Sequence, residues 1–140
     1  MNIHSQKIYD TIVVGAGISG LSAAYHLKKF SPKAEFLVLE GRDNFGGTWD
    51  FFKYPGIRSD SDMHTLGFSF KPWNSRKFIA DGPAIMNYLD ETIEENNLKD
   101  LIKFNMHIES ASWNSVDSLW ELSINNCLLY TSPSPRDTLL

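Results

Sequence analysis

The sequence predicts an α/β fold in which a parallel sheet is built around one strand–helix–strand unit, from Tyr9 to Glu40. Thr11–Val14 is β-branched throughout, which is typical of a parallel strand buried on both faces. The glycine-rich turn GAGISG follows at 15–20 and opens a segment whose small and apolar residues have helical spacing. Phe36–Leu39 is a second apolar run, and it ends at an acidic residue.

The spacing of the glycines predicts a Rossmann-like dinucleotide-binding unit. Gly15 allows a tight turn, Gly17 lets the backbone approach a pyrophosphate, and Gly20 lets the helix pack on the strand. Backbone N–H groups at the start of that helix attract phosphate, and Ser19 lies among them. Glu40 follows Gly20 by 20 residues, where an acid that binds ribose hydroxyls belongs. The alternatives are a glycine-rich turn in an unrelated α/β protein and a solvated acid at a strand end.

The charge of Glu40 disfavours a ligand with a 2′-phosphate. The site is therefore expected to hold FAD or NAD rather than NADP, and the motif itself does not choose between those two.

Composition excludes several classes of protein. The chain has 140 residues and a formal net charge of −4 without a basic run, which argues against nucleic acid as a partner. The sequence has no apolar run near the roughly 20 residues of a transmembrane span. Cys127 is the single cysteine, and the four histidines lack metal-ligand spacing, so we expect neither disulfides nor a metal site. A cytoplasmic location is expected, with peripheral membrane association left open.

The loop over 41–49 contains a glycine pair, Gly46–Gly47, and an irregular aromatic segment follows from Trp49 to Trp73. Adjacent glycines let backbone N–H groups face a bound anion or ring, although a surface turn is the alternative. Long apolar segments without periodicity are often functional. Arg58 and Asp60 are candidate site residues because buried charge is costly unless it is paired or used; an exposed loop is the alternative.

The following segment predicts scaffold elements. Asp81 is the expected N-cap of a helix whose apolar face includes Ile85, Leu89 and Ile93. Alternating apolar residues predict one strand over 102–108. Two further short strands, at 111–113 and 119–124, are expected to form a β-hairpin inserted after a strand of the parallel sheet.

Residues 127–140 do not fit this pattern. The string CLLYTSPSPRD is similar to an in-frame translation of a transposase adapter used in sequencing libraries. We interpret 127–140 as a non-native tail and 1–126 as the N-terminal part of a truncated domain. Resequencing of the locus tests this: genomic DNA that encodes the string would contradict the interpretation.

Four motifs together resemble class B flavin-dependent monooxygenases of the Baeyer–Villiger type: GAGISG at 15–20, Glu40, GGTW at 46–49 and YPGIRSDSDM at 54–63. The ethionamide-activating subgroup is especially similar, and the resemblance covers residues 8 to about 124. The family's second, NADPH-binding glycine motif is absent, as are its fingerprint F-x-G-x-x-x-H-x-x-x-W and its active-site arginine. The resemblance implies that all three lie after Asn126 in the parent protein, so most of the NADPH site does too.

The resemblance also implies roles for individual residues. Gly15, Gly17, Ser19 and Gly20 would hold the FAD pyrophosphate, and Glu40 would hold the adenosine ribose. The flavin half would be contacted by Thr48, Trp49, Asp50 and Phe51. Arg58 and Ser59 would border the nicotinamide site, and the backbone of Ile108 would pair with the adenine. Asp60 would be the catalytic residue, beside the flavin and orienting the active-site arginine.

The implied reaction is a Baeyer–Villiger oxidation, in which NADPH and O₂ convert FAD to a C4a-peroxyflavin that inserts oxygen next to a ketone carbonyl. A thiocarbonyl-type substrate is also implied by the subgroup. One alternative is a flavin-containing monooxygenase that oxygenates nitrogen or sulfur. Another is that the 140-residue chain is by itself an inactive FAD-binding module.

Overall fold

The computed structural model describes residues 7–125 and 127–132, and within them the strands form two sheets. The parallel sheet has the strand order β2-β3-β4, and the mixed sheet has the order β1-β7-β6-β5. The strands are β1 (Ile8–Tyr9), β2 (Thr11–Val14), β3 (Phe36–Leu39), β4 (Ile102–Lys103), β5 (Ile108–Asn114), β6 (Leu119–Ile124) and β7 (Cys127–Thr131). The helices are α1 (Ile18–Phe30), α2 (Thr48–Phe51), α3 (Met63–Leu66) and α4 (Gly82–Glu95), with a short 3₁₀ turn at Lys99–Leu101.

The predicted strand–helix–strand unit is confirmed. β2 and β3 are parallel, with Thr11 opposite Phe36 and Val14 opposite Leu39, and α1 connects them. Leu21 and Ala24 are buried on one face of α1 and belong to the main core. The expected burial of β2 on both faces is wrong. β2 is an edge strand within the described residues, and Val14 is 69% exposed.

α4 begins as the sequence predicts. The side chain of Asp81 accepts a hydrogen bond from the backbone N–H of Ala84 at 2.8 Å, and Pro83 lies in the first turn, where a missing N–H costs nothing. Ile85 and Leu89 are fully buried in the main core, which also contains Met63 and Phe68. α4 therefore acts as a scaffold element that packs against the preceding segment, residues 52–81.

Replacing Asp81 with alanine should lower the free energy of unfolding by about 1 kcal/mol, because the Ala84 N–H loses its partner. Urea denaturation measures this change. Asp90→Ala, on an exposed position of the same helix, is the matched control and should have a smaller effect. Equal destabilisation by the two substitutions would contradict the capping role.

The single strand predicted over 102–108 is wrong. β4 contains only Ile102 and Lys103, and the chain then turns at Asn105, whose φ is +57°. The backbone N–H of Asn105 donates to the carbonyl of Arg42, and that of Met106 donates to the carbonyl of Glu40. These two bonds carry the chain from the parallel sheet to the mixed sheet, so the alternating apolar residues of 102–108 serve two different sheets.

The predicted hairpin is confirmed and belongs to a larger sheet. β5 and β6 are antiparallel, and the side-chain oxygen of Asn114 accepts backbone N–H groups of Val116 and Asp117 in the connecting turn. β7 then pairs with β6 and, in parallel, with β1.

Residues 127–131 form a strand in which Tyr130 is buried. The division of the chain at residue 126 stays a prediction. The adapter origin of 127–140 stays a prediction, and residues 126 and 133–140 lie outside the described residues. None of the helices in the described part of the chain is both long and apolar enough to cross a bilayer.

Candidate functional site

The first glycine turn, residues 15–20, lies at the carboxyl end of β2 and leaves open space beside its backbone. Gly15 has a φ of +97°, and among the described residues no atom lies within 4 Å of the position a Cβ would take there. A Cβ at Gly17 would meet only the Gly47 Cα, at 3.8 Å. Gly20 is different: a Cβ there would lie 1.8 Å from the carbonyl oxygen of Gly15. Gly15 and Gly17 therefore leave room for a ligand, whereas Gly20 is required by packing.

The amino-terminal end of α1 adds unpaired backbone donors to this turn. The first helical hydrogen bond runs from the Leu21 N–H to the Gly17 carbonyl, so the N–H groups of Ile18, Ser19 and Gly20 have no partner inside the helix. Ser19 is exposed. Donors in this arrangement, at the positive end of a helix dipole, suit a phosphate group.

Glu40 lies beside the same turn and is 8% exposed. Its Oε1 accepts a hydrogen bond from the Ala16 N–H at 2.9 Å, and its Oε2 accepts one from the Arg42 N–H at 3.0 Å. An ionised carboxylate offers about four lone-pair positions, so acceptor sites remain for two ribose hydroxyls. The alternative of a solvated acid is wrong, because Glu40 is buried and holds the glycine turn.

A cavity of about 360 Å³ opens between this turn and the start of the mixed sheet. Ile108 lies on its wall as the first residue of β5, the edge strand of that sheet, so one side of its backbone is not used by sheet pairing. The sequence did not single out Met106 and His107, which also line the cavity. The remaining lining residues are Val14, Gly15, Leu39, Glu40, Gly41 and Arg42.

The second glycine turn packs directly against the first. The N–H of Gly46 donates to the Ala16 carbonyl at 2.9 Å. A Cβ at Gly47, whose φ is +55°, would come within 3.2 Å of the Gly17 Cα. Gly46 has a φ of +115°, and a Cβ there would overlap the side chain of Met86 on α4. Gly47 is thus needed for the close approach of the two backbones, and Gly46 for its positive φ and its packing against Met86. The alternative of an independent surface turn is wrong.

The four residues of α2 have different environments. Thr48 and Phe51 are exposed, and Phe51 carries the guanidinium of Arg42 over its ring, at 5.0 Å from the centroid. Trp49 is half-buried and packs on the main core. Asp50 is buried, with its carboxylate directed at Arg42, Asn44 and Lys53. The side chain of Asp50 is therefore engaged with the protein.

The segment with Arg58, Ser59 and Asp60 is anchored to the start of α4 rather than to the glycine turns. Arg58 forms an antiparallel bridge with Asp81. Ser59 is buried: its N–H donates to the Ala80 carbonyl at 2.8 Å, and its hydroxyl oxygen accepts from the Ala80 N–H at 3.1 Å. Asp60 is exposed. The structure thus gives Ser59 a role in holding the segment, and its expected role at a nicotinamide site remains a prediction.

The residue after this segment fixes its other end. Asp62 caps α3 by accepting hydrogen bonds from the side-chain hydroxyl and the backbone N–H of Thr65, both at 3.0 Å. These hydrogen bonds from Thr65 hold the pKa of Asp62 below its usual value. Asp60 therefore lies between two anchored neighbours.

The described residues hold no group of three His, Cys, Asp or Glu side chains placed to bind a metal ion. Arg42 and Asn44 are the important residues that sequence reasoning missed. The sequence indicates them only indirectly. A buried carboxylate at Asp50 requires polar partners, and Arg42 and Asn44 lie in the short loop that precedes it.

Comparison with known families identifies the glycine-turn region. Residues 13–91 match the family described as "NAD(P)-binding Rossmann-like domain". The match begins in β2 and ends within α4, so it includes both glycine turns and Glu40. The predicted Rossmann-like α/β fold class is confirmed.

Among curated proteins, the chain is similar to the FAD-containing monooxygenase EthA of Mycolicibacterium smegmatis, with 52% identity over 116 residues. That alignment covers 83% of this chain and 24% of the relative. The probable FAD-binding monooxygenase AlmA of an Acinetobacter species is 50% identical, over 86% of this chain and 24% of its own length. The chain therefore spans about a quarter of the length of the curated relatives that it matches.

Solved structures give the same result. An oxidised steroid monooxygenase bound to NADP matches with a TM-score of 0.81 and 27% identity, over 89% of this chain and 25% of that one. Cyclohexanone monooxygenase, in its open form, matches with a TM-score of 0.82 and 26% identity, over 90% of this chain and 26% of that one. The resemblance to flavin monooxygenases of the Baeyer–Villiger type is confirmed by these findings.

Proposed function

The chain belongs to the NAD(P)-binding Rossmann-like family, and from this premise we propose that it is the FAD-binding part of an NADPH- and O₂-dependent flavin monooxygenase that performs Baeyer–Villiger oxidation. The observation that carries the proposal is the contact between the two glycine turns, made by the Gly46 N–H and the Ala16 carbonyl. It joins a phosphate-binding turn to the GGTW segment that the monooxygenase resemblance depends on. The names of the relatives, FAD-containing monooxygenases, support the choice of FAD over NAD.

The residues present fit FAD. A diphosphate needs space and N–H donors, and Gly15, Gly17 and the start of α1 supply both. The adenosine part needs a cavity with an acid on its wall, which the 360 Å³ space beside Glu40 provides. Thr48 and Phe51 are exposed on α2, just after the second glycine turn, and are proposed to contact the flavin half together with Trp49 and the backbone of Asp50.

Each residue then has a defined task. Backbone N–H groups of the first glycine turn bind the diphosphate, and the Glu40 carboxylate accepts hydrogen bonds from the ribose hydroxyls. The backbone of Ile108, on the side that sheet pairing does not use, bonds to the edge of the adenine. Bound FAD would supply the redox and oxygen chemistry, with NADPH as the reductant. Arg58 and Ser59 are proposed to border the nicotinamide.

Asp60 is proposed as the catalytic residue of this chain. Its carboxylate is exposed, yet its neighbours are fixed by the Ser59–Ala80 and Asp62–Thr65 hydrogen bonds. A carboxylate on a backbone that is held on both sides can orient an arginine supplied by another part of the parent protein, and that cation would stabilise negative charge that develops during oxygen transfer. A small ketone is the proposed substrate, a thiocarbonyl compound is a second one, and the cytoplasmic location expected from the sequence is part of the proposal.

A chimaera tests this function. Residues 8–124 would replace the matching segment of the M. smegmatis relative, which is 52% identical. We expect the chimaera to bind FAD, to oxidise NADPH faster when a small ketone is added, and to yield an ester. Asp60→Asn in the chimaera should lower ester formation by at least ~100-fold while FAD remains bound. The 140-residue chain alone should bind FAD without oxidising NADPH.

Ketone-dependent NADPH oxidation and mass spectrometry of the product are the two measurements. Oxygenation of amines or sulfides without any ester, or a strict preference for NADH, would contradict the proposal. If the Asp60→Asn chimaera gave as much ester as the wild-type chimaera, only the proposed role of Asp60 would be contradicted.

A further inference from the structure

The two glycine turns, Glu40 and Asp50 are joined in one closed ring of polar contacts, and Arg42 completes that ring. We propose that Arg42 and Asp50 are positioning residues that couple the adenosine half of the FAD site to its flavin half. They do so by holding the second glycine turn, with α2, against the first. The inference rests on the proposed FAD site and adds a role for Arg42 that the sequence motifs do not indicate.

One side of the ring runs through the first glycine turn. Glu40 Oε1 accepts the Ala16 N–H at 2.9 Å, and the Ala16 carbonyl accepts the Gly46 N–H at 2.9 Å. The ribose acid and the second glycine turn are therefore connected by two hydrogen bonds through a single residue, Ala16, which is fully buried. A shift of either turn would break at least one of these bonds.

The other side of the ring runs through Arg42. Its backbone N–H donates to Glu40 Oε2 at 3.0 Å, and its side-chain Nη1 lies 3.1 Å from Asp50 Oδ2. The Asp50 N–H donates to the Gly47 carbonyl at 3.1 Å, which returns the ring to the second glycine turn. Arg42 thus contacts the ribose acid through its backbone and the acid of α2 through its side chain.

The burial of Asp50 gives the ring its energetic importance. The side chain of Asp50 is 4% exposed, and a carboxylate at this depth is costly unless cations and donors surround it. Asn44 donates to Oδ1 at 3.0 Å, and the more exposed Lys53 lies 3.6 Å from the same oxygen. Arg42 is the closest cation at 3.1 Å, so it contributes most to holding the carboxylate, and with it α2, in place.

The geometry of Arg42 favours a positioning role over direct ligand binding. Nη1 is buried and lies within ion-pair distance of Asp50, although its N–H is not aligned for a hydrogen bond. The guanidinium also lies over the ring of Phe51, 5.0 Å from its centroid. Both contacts direct the charge of Arg42 towards α2. Arg42 lines the adenosine cavity, so direct contact with the adenosine is the competing role that the experiment must exclude.

The test compares FAD with ADP, which contains only the adenosine diphosphate half. In Asp50→Asn the side chain keeps its shape and an acceptor for Asn44, and in Arg42→Met the apolar stem and the backbone N–H to Glu40 remain. We expect each variant to bind FAD about 10-fold more weakly than the wild type, and ADP within about 2-fold of it. Arg76→Met, which removes an exposed arginine elsewhere, is the matched control and should change neither affinity.

The double variant Arg42→Met/Asp50→Asn tests the coupling itself. If the two residues act as a pair, the double variant should bind FAD no worse than either single variant, about 10-fold below the wild type. Independent roles would give about a 100-fold loss, which would overturn the proposal. Equal weakening of FAD and ADP binding by Arg42→Met would also overturn it, because that result indicates direct contact with the adenosine.

Two further measurements distinguish a loss of coupling from a folding defect and from the absence of an FAD site. Circular dichroism of the ligand-free variants reports the fold, and if Arg42→Met does not fold, the FAD-to-ADP comparison in Asp50→Asn decides the question. A wild-type chain that binds neither FAD nor ADP contradicts the proposed FAD site. A wild-type chain that binds FAD, with variants that lose no FAD affinity, contradicts only the coupling.

Discussion

Replacing Gly17 with valine is expected to abolish retention of FAD while the fold remains intact. Gly17 has a φ of −81° and a ψ of −170°, an extended conformation that any residue adopts. A Cβ there meets only the Gly47 Cα, at 3.8 Å. The added methyl groups extend beyond that Cβ at the junction of the two glycine turns, beside the backbone that the proposed diphosphate approaches. If the added side chain costs the FAD complex about 3 kcal/mol through overpacking, the affinity for FAD falls about 100-fold.

Flavin absorbance after gel filtration measures the retained FAD, and far-ultraviolet circular dichroism measures the fold. Ala111→Val, at an exposed position of β5, adds the same kind of side chain away from the site and should retain FAD. Full FAD occupancy in Gly17→Val would show that the diphosphate does not approach this turn.

Replacing Gly20 with alanine is expected to disrupt the fold itself, even without ligand. The new Cβ would lie 1.8 Å from the carbonyl oxygen of Gly15 and 2.9 Å from its carbonyl carbon. Both are backbone atoms, so α1 must move away from β2, and the close packing around Leu21 and Ala24 is lost. We expect destabilisation of about 4 kcal/mol or more, which is a large part of the 5–15 kcal/mol that typically stabilises a domain.

Thermal unfolding without FAD measures this effect, with Ser19→Ala as the control in the same turn, because Ser19 is exposed. The control should unfold within a few degrees of the wild type. A Gly20→Ala chain with an unchanged unfolding midpoint would mean that α1 does not pack on the first glycine turn as described.

Local sequence signals predicted the parts of the fold that depend on near neighbours. The unit β2-α1-β3, the Asp81 cap of α4 and the turn at Asn114 each follow from residues close together in the chain. Glu40 was predicted from its distance to Gly20, since one helix and one strand separate them. The predictions for β2-α1-β3, the Asp81 cap and the turn at Asn114 held because backbone conformation and short-range hydrogen bonds determine them. The ribose-binding role of Glu40 stays a prediction.

The predictions that failed depend on tertiary contacts. The alternation over 102–108 is real, but Asn105 and Met106 bond to the carbonyls of Arg42 and Glu40 and so divide the segment between two sheets. β7 joins β1 and β6 across most of the chain's length, which composition could not indicate. The Arg42–Asp50 pair was missed for a similar reason, because its importance depends on the burial of Asp50.

The central claim is that the two glycine turns and Glu40 form one FAD site, and equilibrium titration of the chain with FAD and NADP tests it most directly. The account predicts that one FAD binds per chain with a change in flavin fluorescence. NADP should bind at least about 10-fold more weakly, because Glu40 disfavours a 2′-phosphate and Arg42 is engaged by Asp50. Binding of NADP without binding of FAD would contradict the account.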